Sequence, residues 1–348
     1  MRTLSVGLLG FGHAGSVFHA PLILAEPRLR LAAVGSSRAD EIRSAVPGAV
    51  ATTAEAIIAD PAIDLVVVAT PNTSHAPLAR AALQAGKHVV IDKPMATTAA
   101  EADELVDLAA RQGLLLSVFH NRRWDNDFLT LRACLESGAV GRPYHYEAHY
   151  DRFRPRIKPG WRERSLAGSG VLFDLGAHLI DQALVLFGKP DRILADVASQ
   201  RPDTLVDDWF HIVLGYGPMR AILHCGTVVC RPGPRFQLHG DGGSFLKYGI
   251  DGQEAALRAG QRPGGAGLGG AGWGGAGWGG DDPANHALLV AADGSEQRVE
   301  TLAGDYPAYY RGIAAAILDG GAPPVTAESA RDVLTVLEAV RKAAGAAG

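Results

Sequence analysis

Cysteine is scarce in this chain. Three occur among 348 residues, Cys134, Cys225 and Cys230, an odd number without paired metal spacing. That excludes a disulfide scaffold or zinc ribbon, and the expectation is free, buried thiols in a reducing, cytoplasmic setting. An excess of one charge sign is also lacking: the net charge is −4 and the pI about 6.3. Neither a nucleic acid nor a membrane surface is therefore expected as a partner. No apolar run approaches the roughly 18 residues of a membrane helix. The opening run Leu4–Leu9 is too short and glycine-broken to read as a signal peptide. What is present, 47% hydrophobic and 20% charged residues, is ordinary for a soluble globular protein. The length exceeds what one core usually fills, so two domains are expected.

The first 121 residues alternate between apolar, β-branched runs (4–10, 29–35, 63–70, 88–91, 114–119) and helical stretches. Runs that are apolar on both faces imply a parallel sheet covered by helices on each side, an α/β domain. From residue 122 the rhythm changes. A helix over 125–137 leads into alternating strands at 144–153, 208–216, 220–229, 235–239, 244–248, 287–291 and 296–302. Asp241-Gly242-Gly243 and Asp293-Gly294 read as hairpin turns. One long helix at 170–187 and two closing helices, at 306–318 and 327–344, complete an α+β domain with a large, mainly antiparallel sheet. The segment Pro263–Gly280 repeats Gly-Gly-Ala-Gly-Trp. It reads as a flexible surface loop, or alternatively as a lid using Trp273 and Trp278.

Gly10-Phe11-Gly12-His13-Ala14-Gly15 is GxGxxG between a strand and a helix. The first glycine suits a tight turn, the second a close approach to a pyrophosphate, the third close helix–strand packing. The helix N-terminus then offers free N–H groups to phosphate. The second strand ends on Gly35-Ser36-Ser37-Arg38. No carboxylate is there for a ribose 2′-OH, whereas Ser36, Ser37 and Arg38 suit a 2′-phosphate, which favours NADP over NAD. The serines could equally cap the next helix. Thr70-Pro71-Asn72 ends the third long strand and should line the same crevice, with Ser74 capping the helix that follows.

His88-Val-Val-Ile-Asp92-Lys93-Pro94 ends a buried strand on a charged pair and a proline. Ordinary turn chemistry would explain that, but the strand end faces the cofactor crevice. Further on, Asp174 and His178 are four residues apart on a helix and share a face, with Asp181 three beyond His178. Such a set serves either as an acid–base unit or as a structural pair. A third metal ligand is not clearly placed, so no metal is expected.

These pieces resemble the glucose–fructose oxidoreductase / inositol dehydrogenase / rhizopine catabolism (Gfo/Idh/MocA) family over nearly the whole chain. The resemblance rests on GFGHAG at 10–15, ATPNTSH at 69–75, AGKHVVIDKP at 85–94 and GSGVLFDLGAHLIDQ at 168–182. Within the family, the stretches at 117–131, 150–155 and 245–260 are similar to the NADP-dependent scyllo-inositol dehydrogenase branch. The resemblance implies an N-terminal Rossmann domain over 1–121 and an α+β substrate-binding and oligomerisation domain over 122–348. It implies Lys93, Asp174 and His178 as catalytic residues. It adds His75, Asp92, Pro94, Asn121, Trp161 and Arg162 to the cofactor site, and Arg122, with Asp151 and Arg152, to the substrate side. Asp151 and Arg152, like Arg123 and Arg154, are looser candidates for which salt bridges serve as well. The implied reaction moves a hydride between NADP and a secondary alcohol of a cyclic polyol or sugar, most specifically scyllo-inositol. The alternatives are an aldose or keto-sugar enzyme of the family and a non-catalytic dinucleotide-binding regulator. Homodimers or homotetramers are implied, and a cis bond before Pro94. Two departures stand out: Asp92 replaces the family's usual Glu, and the insert at 263–280 is long.

Overall fold

The computed structural model describes residues 2–157, 160, 163–263 and 278–345. They form two compact units. The first is built on β1 (Leu4–Leu9), β2 (Leu29–Gly35), β3 (Val50–Thr52), β4 (Leu65–Val68), β5 (His88–Ile91) and β6 (Leu116–Val118). All six are parallel, in the order β3-β2-β1-β4-β5-β6. Leu8, Val66, Val67, Val90 and Val118 are fully buried, as continuous apolar strands in a doubly covered sheet must be. Each such side chain contributes about 1.5–3 kcal/mol on burial. Helices α1 (Ala20–Ala25), α2 (Ala39–Ala45), α3 (Ala54–Ala59), α4 (His75–Gln84) and α5 (Ala99–Gln112) connect the strands. A π-helical stretch, Ala14–His19, opens the first of these crossovers. Thr98 and Glu101 form a capping box on α5.

The order reverses between β1 and β4, which puts the crevice of this sheet where their carboxyl ends diverge. Gly10, Ser36, Thr70 and Asp92 all follow strand ends on that side. Backbone bonds tie those ends together: Gly10 N–H donates to Gly35 O, Ala69 N–H to Leu9 O, and Asp92 N–H to Val68 O.

The second unit contains α6 (Asn126–Glu136), β7 (Pro143–His149), α7 (Ala177–Phe187) and seven further strands. These are β8 (Arg192–Ala198), β9 (Trp209–Tyr216), β10 (Met219–Gly226), β11 (Phe236–Gly240), β12 (Gly243–Lys247), β13 (Ala287–Ala291) and β14 (Glu296–Val299). The eight-stranded sheet runs β14-β13-β12-β11-β7-β10-β9-β8 and is antiparallel except between β7 and β10. Tyr146, Ala148, Leu223 and Phe210 are buried on one face, while the alternate residues are half-exposed on the other.

The chain does not divide at a single cut. Residues 253–278 and 305–331 group with the first unit. The cause is aromatic packing: in α9 (Pro307–Asp319), which follows the short α8 (Gln253–Arg258), Tyr309 lies edge-on to Phe119 at 4.9 Å. Tyr306 packs beside Phe18, and Ser117 Oγ donates to Val325 O at 2.8 Å. A final helix, α10, spans Ala327–Gly345. Other details differ from expectation. β8 was not foreseen, because an edge strand of half-exposed residues carries a weak pattern. Cys230 is exposed, while Cys134 and Cys225 are buried. Ser74 does not cap α4; its hydroxyl instead donates to Thr70 Oγ1 and Pro71 O.

Candidate active site

The glycine turn divides its labour in space. Gly10 has φ +96°, and a side chain there would meet Ala69 O at 2.5 Å. A Cβ on Gly15 would stand 2.2 Å from Gly10 O, so only glycine allows the helix to approach the turn. Gly12 has nothing within 4 Å of its would-be Cβ, which leaves that backbone open to a phosphate group. The residues therefore fit a dinucleotide. His13 Nε2 accepts from Arg258 at 3.2 Å, so α8 joins this rim.

At the end of β2, Ser36 Oγ accepts from Arg38 N–H at 3.3 Å, and no side chain caps α2. Arg38 is exposed, and its guanidinium donates to Glu41 Oε2 at 3.4 Å at the rim of the crevice. At the end of β4, Asn72 is buried and Thr70 half-buried. His75 is fully buried, with Nδ1 2.7 Å from Pro94 O and Nε2 2.8 Å from Thr70 O. Both nitrogens face protein carbonyls, so His75 braces the residues that follow two strand ends. Burial holds its pKa below the ordinary histidine value.

Asp92 and half-buried Lys93 follow β5, and Lys93-Pro94 is cis. Asp92 Oδ1 stands 3.7 Å from His19 Nε2. Burial alone would raise that carboxyl, but His19, Lys93 and His75 together hold it below the usual range. The other His19 nitrogen, Nδ1, lies 2.6 Å from Tyr310 Oη. Burial raises the Tyr310 phenol well above its ordinary value, so it stays a donor. Donation to Nδ1 leaves the Nε2–H of His19 turned to Asp92. His19 and Tyr310 went unnoticed in the sequence, because 291 residues separate them.

In the second unit a π-helical stretch, Leu172–Gly176, carries Asp174 and runs directly into α7 with His178. Such wide turns concentrate at functional sites. Asp207 anchors the start: its Oδ2 accepts from Leu172 N–H at 2.7 Å, and its backbone carbonyl accepts from Val171 N–H. His178 is buried and Asp174 half-buried. Asp181 is buried on α7. Arg123 grips it with Nη2 at 2.6 Å and Nε at 2.9 Å, which makes this pair structural. Arg122 donates to Asp125 at 3.2 Å and lies 5.3 Å over the Tyr150 ring. Arg235, fully enclosed, also lies over the Tyr150 ring, at 4.0 Å, and donates to Gln182 Oε1. Arg122 is thus part of a buried polar network under the sheet.

Asp151, Arg152 and Asp174 all act electrostatically on Cys225, whose thiol is pushed up to about 12, by burial first. The structure therefore brings these three sequence candidates into one neighbourhood. Asp151, however, turns to His149, His224 and the Gly226 N–H. Arg154 is exposed, and its backbone pairs with Thr227. Asn121 is buried in the turn after β6. Trp161, Arg162 and Trp273 lie outside the described residues. Trp278 Nε1 donates to Gln253 Oε1 at 3.1 Å.

Comparison with known proteins agrees with this geometry. Residues 4–120 match the oxidoreductase family with NAD-binding Rossmann fold, and residues 128–246 match the GFO/IDH/MocA C-terminal domain. The NADP(+)-named scyllo-inositol 2-dehydrogenase IolW of Bacillus subtilis is 43% identical over 97% of this chain and 92% of its own length. The chain belongs to the Gfo/Idh/MocA family of oxidoreductases. The Escherichia coli oxidoreductase YdgJ is 42% identical over 96% of this chain and 94% of its own length. A solved structure of the oxidoreductase yvaA from Bacillus subtilis superposes with TM-score 0.94 at 42% identity, covering 99% of this chain and 97% of that one. This family member is an NAD(P)-dependent oxidoreductase of mixed α/β architecture. No helix among its described residues is long and apolar enough to cross a membrane.

Proposed function

We propose that this protein is an NADP-dependent dehydrogenase acting on a secondary alcohol of a cyclic polyol, most specifically scyllo-inositol. The observation that carries the reading is the crevice lined by Gly12, Ser36, Ser37 and Arg38, with Lys93 beyond the end of β5 on the same side of the sheet and no carboxylate at the end of β2. The 43% identity to a relative named for that reaction supports it. Bound NADP supplies the hydride acceptor. Gly10–Gly15 would hold its pyrophosphate, Ser36, Ser37 and Arg38 its 2′-phosphate, and Thr70, Pro71 and Asn72 the crevice floor.

His178 accepts the hydroxyl proton as the C–H hydride departs and the carbon–oxygen double bond forms. Lys93 stabilises negative charge growing on that oxygen. Asp174 orients His178 or a neighbouring substrate hydroxyl, and Arg152 adds a donor suited to an uncharged, hydroxyl-rich ring. Relatives named levoglucosan dehydrogenase and D-glucoside 3-dehydrogenase match 58% and 54% of the chain, so sugars belong in the test.

The test is NADPH formation against a panel of inositols and sugars, with Lys93→Ala and His178→Ala alongside. Expected is highest kcat/KM with scyllo-inositol and losses of about 10²–10⁴-fold in each variant. Preference for a sugar would overturn the substrate, and unchanged turnover in the variants would overturn the roles.

A further inference from the structure

A row of histidines crosses the half-exposed face of the eight-stranded sheet. His149 on β7 sits opposite His224 on β10, and His224 opposite His211 on β9. The period-two alternation that buries Tyr146, Ala148 and Leu223 turns these rings to the other face. Asp151 follows the end of β7, and Gly226 N–H donates to its Oδ1 at 2.9 Å, fixing the carboxylate beside two of the rings.

The separations are those of metal ligands. Asp151 Oδ2 is 3.2 Å from His149 Nδ1, and Asp151 Oδ1 is 3.5 Å from His224 Nε2. One ligand atom from each of the three residues lies within 4.8 Å of the others. Donors bound at about 2.0–2.1 Å around a tetrahedral zinc ion stand about 3.3 Å apart, close to the separation of each imidazole nitrogen from its nearer carboxylate oxygen.

The surroundings of His149 support a ligand there. His149 Nε2 lies 3.2 Å from Glu147 Oε2. Glu147 is itself held, by Gln237 Nε2 donating to Oε2 at 2.8 Å and by His145 Nε2 at 2.9 Å from Oε1. A carboxylate behind a ligating imidazole fixes the ring and raises its basicity toward a metal.

We propose that His149 Nδ1, His224 Nε2 and the Asp151 carboxylate bind a divalent late transition-metal ion of the zinc class, with water completing its shell. Two imidazoles and one carboxylate select such an ion over calcium or magnesium, which take oxygen ligands. The expectation of no metal came from cysteine spacing and from the Asp174, His178 and Asp181 set. This site escapes both considerations, because parallel pairing of β7 with β10 joins residues 75 positions apart.

The test is titration of chelator-treated full-length protein with Zn²⁺ alone by calorimetry and with Co²⁺ alone by visible absorption. Expected is one ion per chain. His224→Ala should weaken binding by at least about 100-fold and Glu147→Gln by about 10- to 100-fold, while His178→Ala binds as the native chain does. Circular dichroism checks that each variant is folded. Absence of stoichiometric binding by the native chain would overturn the site, as would His224→Ala and Glu147→Gln both binding with native affinity.

Discussion

Asp92 Oδ1 faces His19 Nε2 at 3.7 Å, and Tyr310 holds the far nitrogen of the same ring. The residue beside Lys93 is thus backed by a buried imidazole and the phenol that holds it. Asp in place of the family's Glu shortens the side chain by one methylene, and His19 with Tyr310 keeps its carboxylate placed and charged. Asp92→Asn removes that charge beside Lys93. Its kcat should fall on the order of 10- to 100-fold with KM for substrate little changed, since small misplacements of reacting groups cost about that much. Asp92→Glu should recover most of the rate. Steady-state kinetics of the two variants check this, and native kcat in Asp92→Asn would remove Asp92 from the machinery.

Arg38 decides between cofactors if it meets a 2′-phosphate. Losing one charge-assisted contact costs roughly 1.5–3 kcal/mol, or about 10- to 100-fold. Arg38→Ala should lower kcat/KM for NADP by that factor and leave NAD nearly unaffected. An equal loss with both dinucleotides would mean that Arg38 contacts something they share.

The Arg123–Asp181 pair is largely buried and bonded through two guanidinium nitrogens. Removing one partner from such a pair typically costs about 3–5 kcal/mol, because the other charge is left uncompensated. Arg123→Met should therefore shift the urea midpoint of unfolding markedly downward. A midpoint within error of the native value would show that solvent reaches this pair.

His75 predicts a pH dependence. Its folded pKa is depressed by burial, so between the folded and unfolded values the unfolded chain binds the extra proton. Stability from this group is fully present above the unfolded value, about 6.5, and declines as pH falls below it. Urea unfolding at pH 7.5 and pH 5.5 should show a loss on acidification that His75→Gln reduces. An equal loss in both proteins would assign the acid sensitivity elsewhere.

Much of this protein was legible without coordinates. Continuous apolar runs determined a parallel sheet, and GxGxxG determined the turn at Gly10, because local sterics and two-sided burial leave few alternatives. The end of β2 and the end of β5 were readable for the same reason: residues next to strand termini inherit the position of the strand. Tertiary structure decided the rest. It turned His75 inward, paired Asp181 with Arg123, and gathered His19 and Tyr310 behind Asp92. It also aligned His149 with His224 across β7 and β10. Each of these depends on contacts between residues far apart in sequence, and periodicity carries no information about which distant side chain will fill the space beside a buried polar group.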